Sequence, residues 1–188
     1  MSVMDSVRTA DQSPGRSLPP VSLILGGARS GKSRYAEGLI AEAGSGLYLA
    51  TATPGDAEMA ARIAAHRARR GPNWDTIEEP LDLAGALHRH SSSGRPILVD
   101  CLTLWLSNLL HAGREPELAI AALIEARTAW RSPVVFVSNE IGLGIVPENA
   151  LARRFRDAAG HLHQALAECA GLVALLIAGL PMIIKDTR

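Results

Sequence analysis

The sequence predicts an α/β fold: one domain with a mostly parallel sheet flanked by helices. Three observations carry this. Short apolar runs alternate with helix-length segments, the first run opens directly into a glycine-rich turn, and no linker or internal repeat divides the 188 residues. That length suffices for one domain with a hydrophobic core.

Residues 1–20 are polar, with Ser, Pro and Gly scattered among them, and read as a mobile leader that is dispensable to the fold. The domain is expected over residues 21–188. Val21-Ser-Leu-Ile-Leu25 is a run of the kind that makes a buried parallel strand. A helix is expected from Lys32 to about Ala43, then a strand from Leu47 to Thr51. Asp56 suits the N-cap of a helix through Arg70, with Glu58 in its first turn. A shorter helix, residues 81–90, precedes the strand Ile97-Leu-Val-Asp100. Helices over 102–111 and 116–130 lead to a buried strand, 133–138. A Gly-rich loop through Pro147 precedes a long helix, about 149–170. The apolar runs 172–178 and 182–185 flank Gly179-Leu-Pro181 and predict a terminal hairpin.

Composition narrows the function. Nineteen basic residues balance nineteen acidic ones, so no basic field points to nucleic acid. Cys101 and Cys169 form neither a CxxC pair nor a metal-ligand spacing and read as small thiols of a reducing compartment. The apolar stretch 172–184 is interrupted by Gly179 and Pro181, so no membrane span is expected. The N-terminus has no charged region followed by an apolar one. A cytoplasmic location is expected.

Gly26-Gly27-Ala28-Arg29-Ser30-Gly31-Lys32-Ser33 fits G-x-x-x-x-G-K-[ST] without a mismatch. Glycines allow the tight turn in which several N–H groups converge on phosphate oxygens. The following helix adds the positive end of its dipole. Lys32 is placed to reach the outer phosphates of ATP or GTP, and the Ser33 hydroxyl to ligate Mg²⁺. A P-loop NTPase domain is the reading. Asp100 ends an apolar strand, where a second carboxylate for Mg²⁺ would sit; capping of the next helix is the alternative.

A phosphate loop does not name a substrate. In the helix expected over 56–70, Met59, Ile63 and His66 share one face at i, i+4, i+7. Arg62, Arg69 and Arg70 lie one turn away and disfavour imidazolium. A neutral imidazole is a nucleophile toward phosphorus. Spacing alone equally allows an ordinary partly buried histidine. The histidines at 88, 90, 111, 161 and 163 show no metal-ligand pattern and read as surface or boundary residues.

Four segments carry a resemblance: GGARSGKSRYAE from Gly26, EMAARIAAHRARR from Glu58, ILVDCLTLWLSNLL from Ile97 and VSNEIGLGIVPENALARRFRDAAG from Val137. In order, spacing and wording the chain resembles the bifunctional adenosylcobinamide kinase and adenosylcobinamide-phosphate guanylyltransferase family of cobalamin assembly. The match spans residues 21–188. It implies phosphorylation of adenosylcobinamide by ATP or GTP. Transfer of GMP from GTP would then give adenosylcobinamide-GDP and pyrophosphate through a GMP-histidine intermediate. The matching histidine is His66.

By the same match, Gly26 to Ser33, Ala50, Thr51, Ala52, Arg67, Ala68, Arg69, Arg70, Glu78 and Asp100 correspond to nucleotide contacts. Ser33 and Asp100 are the metal ligands expected from the phosphate-loop chemistry above, and the match implies a homotrimer. Residues 139–156 match the family without a chemical assignment; corrinoid binding and a subunit contact both stay open. Leu25 and His163 depart from the common Thr and Asn. No residue stands out as general base for the kinase step. Without the resemblance, a small-molecule kinase and a nucleotide switch fit the same loop.

Overall fold

The computed structural model describes residues 17–42, 44–53, 64, 71 and 73–188. The helix expected over 56–70, with His66 and Arg67 to Arg70, lies outside the described residues but for position 64. So do residues 1–16.

Seven strands form one sheet in the order β3-β2-β4-β5-β1-β6-β7. In chain order they are β1 (Val21–Gly26), β2 (Gly46–Ala50), β3 (Trp74–Glu78), β4 (Ile97–Asp100), β5 (Val134–Asn139), β6 (Leu172–Ile177) and β7 (Leu180–Asp186). The helices are α1 (Lys32–Ala41), α2 (Leu83–His90), α3 (Leu102–His111), α4 (Pro116–Ala126) and α5 (Ala150–Cys169). All neighbouring strands are parallel except β6 and β7, which make the expected hairpin.

Apolar residues fill both faces of the sheet. One cluster joins Leu23, Val99 and Phe136 to Leu102, Trp105 and Leu162 of the covering helices; the other joins Ile24, Leu98 and Val135 to Ala36 and Ile40 of α1. β1 is buried along its whole length, as its unbroken apolar run requires.

Strand β3 was not expected. Its sequence, WDTIE, carries two carboxylates, because this edge strand is only half covered. It is held by an edge-to-face contact of Trp74 with Tyr48, 6.2 Å between ring centroids, and by the ion pair of Asp75 with Arg95. The helix expected through residue 130 ends at Ala126 and tightens into a 3₁₀ turn over Arg127–Ala129.

Residues 18–20, read as leader, belong to the fold. Leu18 packs against the α1 face, and the Pro20 carbonyl accepts the Val134 N–H at 2.9 Å. Their composition hid this, since one Leu and two prolines have no period to read. Among the described residues no helix is long and apolar enough to cross a membrane.

Candidate active site

The carboxyl ends of the six parallel strands, β1 to β6, lie along one edge of the sheet. Gly26, the last residue of β1, pairs with Asn139 of β5, and the turn 27–31 springs from there into α1. Gly26 must be small. A Cβ on it would lie 2.4 Å from Ser30 Oγ and 2.8 Å from the Leu176 carbonyl oxygen. Arg29 and Gly31 adopt positive φ, 57° and 94°. Gly31 caps α1 without a side-chain hydrogen bond, and no acidic residue stands in the first turn. The first N–H groups of α1 and the positive end of its dipole are therefore available to an anion.

Lys32 is largely buried, and its ammonium donates to the Gly27 carbonyl at 3.1 Å, back across the turn. Ser30 Oγ is buried with no hydrogen-bond partner. A buried hydroxyl left unpaired inside a glycine-rich turn marks a cradle shaped for an additional polar group.

Opposite the loop, Asp100 ends β4. Its Oδ2 accepts from Ser33 Oγ at 3.2 Å and from the Tyr48 phenol at 2.6 Å. The helix-cap alternative does not hold: the residue capping α3 is Cys101, with no side-chain cap bond. Ser33 and Asp100, 67 positions apart, thus meet as a hydroxyl–carboxylate pair beside the phosphate loop. These are hard oxygen donors, the set that suits Mg²⁺. Among the described residues no three His, Cys, Asp or Glu side chains gather into a metal cage. Mg²⁺ held by a carboxylate, a hydroxyl and phosphate oxygens needs none.

Ala50, Glu78 and Asp100 occupy one row of the sheet, since Ala50 pairs with Glu78 on one side and Asp100 on the other. Thr51 is fully buried and its polar atoms are committed within the protein. Its N–H donates to the Asp100 carbonyl, its hydroxyl bonds the Cys101 N–H and C=O, and its carbonyl accepts from Asn108. It shapes the site as a strut, a role the sequence did not suggest. Ala52 is half-buried just beyond.

Three further features escaped sequence reasoning. Tyr48 is the phenol that fixes Asp100; a polar-tipped ring inside the apolar run Leu47-Tyr-Leu was the available signal. Asn139 ties β5 to the start of α3, donating to Thr103 Oγ1 at 2.8 Å. The turn of the β6–β7 hairpin rests on the phosphate loop: Gly179 N–H donates to the Ser30 carbonyl at 2.9 Å.

His163, expected as a surface or boundary residue, is buried on α5. Its Nε2 is 2.7 Å from Ser138 Oγ and its Nδ1 3.8 Å from Glu140 Oε2. Burial pushes its pKa down, and the Glu140 charge opposes this in part. His88, His111 and His161 are exposed as expected. Burial, then the neighbouring Asp100 charge, pushes the Cys101 thiol up, so it is a packing thiol rather than a nucleophile.

The family model for cobinamide kinase / cobinamide phosphate guanyltransferase matches residues 22–184. The bifunctional adenosylcobalamin biosynthesis protein CobP of Pseudomonas aeruginosa is 54% identical over 166 residues, covering 87% of this chain and 96% of that protein. The proteins named CobU of Salmonella typhimurium and Escherichia coli are 42% and 40% identical over 178 residues, each covering 87% of this chain and 98% of the relative. Among solved structures, a Pyrococcus horikoshii protein superposes with a TM-score of 0.53 at 8% identity, over 91% of this chain and 88% of that one. A type III secretion ATPase from pathogenic bacteria superposes with a TM-score of 0.51 at 10% identity, over 85% of this chain and 51% of that one. These two likenesses show the fold alone.

Proposed function

The chain belongs to the cobinamide kinase / cobinamide phosphate guanyltransferase family, and on that premise we propose how its residues divide the two reactions of this bifunctional enzyme of cobalamin biosynthesis. The Ser33–Asp100 pair beside the phosphate loop carries the reading.

In the kinase step, the loop N–H groups and Lys32 bind the outer phosphates of ATP or GTP. As the aminopropanol hydroxyl of adenosylcobinamide attacks the γ-phosphorus, the bond to the β,γ-bridging oxygen breaks, ADP or GDP leaves and the hydroxyl proton passes to solvent; Lys32 leaves the Gly27 carbonyl and offsets charge on the transferring group. Mg²⁺, held by Ser33 and Asp100, would neutralise charge on the β- and γ-phosphates. Tyr48 keeps the Asp100 carboxylate turned toward Ser33.

In the transferase step, GTP occupies the same cradle and His66 attacks the α-phosphorus. The bond to the β-phosphate oxygen breaks, pyrophosphate leaves, and GMP stays on the imidazole. The phosphate of adenosylcobinamide phosphate then displaces His66, giving adenosylcobinamide-GDP. Arg67 to Arg70 and Glu78 contact the nucleotide. His66 and its arginines enter by their match to the family motif. The row formed by Glu78, Ala50 and Asp100 supports one continuous nucleotide site along the sheet edge. A homotrimer is the expected assembly. The two free thiols suit a reducing compartment, the cytoplasm.

Adenosylcobinamide incubated with GTP and Mg²⁺ should gain the mass of one phosphate, then of one GMP. Lys32→Ala should lose both additions. A wild-type protein that binds GTP yet modifies no corrinoid would leave a nucleotide switch as the reading.

A further inference from the structure

Any surface that holds the body of the acceptor must flank the point where its hydroxyl meets the γ-phosphate. In the sheet, β5 lies between β4, which ends at Asp100, and β1, which ends at the phosphate loop. The segment leaving β5, residues 140–149, therefore rises between the metal carboxylate and the phosphate cradle. Its first residue is anchored there, the Glu140 N–H donating to the Gly26 carbonyl at 3.1 Å.

This segment displays apolar side chains that nothing within the single chain covers. Leu143 is 86% exposed and Ile145 97%, and Val146 and Leu151 stand out beside them. Four apolar side chains within nine residues, beside a polar site, mark a surface for an apolar ligand. The loop backbone is held in place. Gly142 N–H donates to Glu140 Oε1 at 2.6 Å, Arg153 to the Pro147 carbonyl at 3.0 Å, and Asn149 caps α5 through the Ala152 N–H. A ligand here meets apolar groups on an ordered frame, which lowers the entropy lost on binding.

We infer that residues 143–151 bind the corrin body of the acceptor, a macrocycle with a methyl-covered rim and amide arms. This rests on the cobinamide kinase reading above. The side chains of Leu143, Ile145 and Val146 cover the apolar rim, while Gly144, with open space where a Cβ would go, lets its amides approach the backbone. With the macrocycle there, the aminopropanol arm extends toward the cradle between β5 and β1.

The test is equilibrium dialysis of adenosylcobinamide against wild-type protein and the pair Leu143→Ser with Ile145→Ser. GTP affinity and sedimentation mass are measured alongside. Both side chains are exposed, so the pair folds. The expected result is corrinoid binding weakened about tenfold or more, with GTP affinity and mass unchanged. The conservative pair Leu143→Ile with Ile145→Val should stay within about twofold of wild type. Unchanged corrinoid binding in the serine pair would overturn the assignment while leaving the function intact. A fall in mass with the loss of binding would make the patch a contact between copies instead. A wild-type protein that binds GTP but no adenosylcobinamide would remove the function reading, and the loop assignment with it.

Discussion

The Tyr48 phenol donates to Asp100 Oδ2 at 2.6 Å, reaching from β2 to the end of β4. The same oxygen accepts from Ser33 at 3.2 Å. A buried tyrosine thus sets the direction of a carboxylate placed beside the phosphate loop. In Tyr48→Phe the ring packing survives and this restraint on Asp100 is lost. Stability should fall by about 1 kcal/mol, read as a drop in Tm of roughly 2–4 °C. The Mg²⁺ concentration for half-maximal kinase rate should rise several-fold. An unchanged Mg²⁺ dependence would show that Asp100 does not depend on Tyr48.

Gly26→Ala tests the cradle by crowding. The added methyl would sit 2.8 Å from the Leu176 carbonyl, a backbone group that cannot rotate away. Stability should fall by about 1–3 kcal/mol. GTP affinity by calorimetry should fall at least about tenfold, since the shift begins at the first residue of the loop.

The hairpin turn offers a controlled comparison. Gly179 and Gly113 both have positive φ, 83° and 67°, and open space where a Cβ would go. Alanine at either should cost roughly 1–2 kcal/mol of backbone strain. Only Gly179 is bonded to the phosphate loop. Gly179→Ala should therefore weaken GTP binding, whereas Gly113→Ala should lose similar stability with GTP binding intact. Equal GTP affinity in the two variants would deny the hairpin any hold on the loop.

His163 makes stability depend on pH in a definite direction. Its folded pKa lies below the free value of 6.5, because burial disfavours imidazolium. The unfolded chain then binds the proton first, and stability falls as pH drops from 6.5 toward the folded pKa. His163→Gln removes this contribution while keeping a polar tip for Ser138. Between pH 8 and pH 5.5 the Tm of wild type should fall further than that of the variant. Parallel declines would contradict the assignment.

What was legible in the sequence follows from how each feature is encoded. Unbroken apolar runs gave β1, β4 and β5, because buried parallel strands need them. The phosphate loop was legible because its backbone geometry demands glycines at fixed positions. Strand β3 was hidden, since a half-covered edge tolerates Asp75 and Glu78. Ser33 and Asp100 were each readable as metal ligands, yet their approach depends on β4 and β5 lying beside β1. The contacts of Tyr48 with Asp100 and of Gly179 with Ser30 join distant segments and leave no local pattern. His163 misled because one histidine on an amphipathic helix does not reveal which face it takes.

Label followed from GTP to protein tests the GMP-histidine intermediate directly. Wild type and His66→Ala are incubated with Mg²⁺ and GTP labelled at the α- or the γ-phosphate, then denatured. A GMP-histidine intermediate at His66 requires acid-labile, base-stable label on wild type from the α-phosphate only, and none on His66→Ala. Absence of α-label on a wild-type protein shown to bind GTP would contradict the covalent mechanism, and equal label on both proteins would place the nucleophile elsewhere.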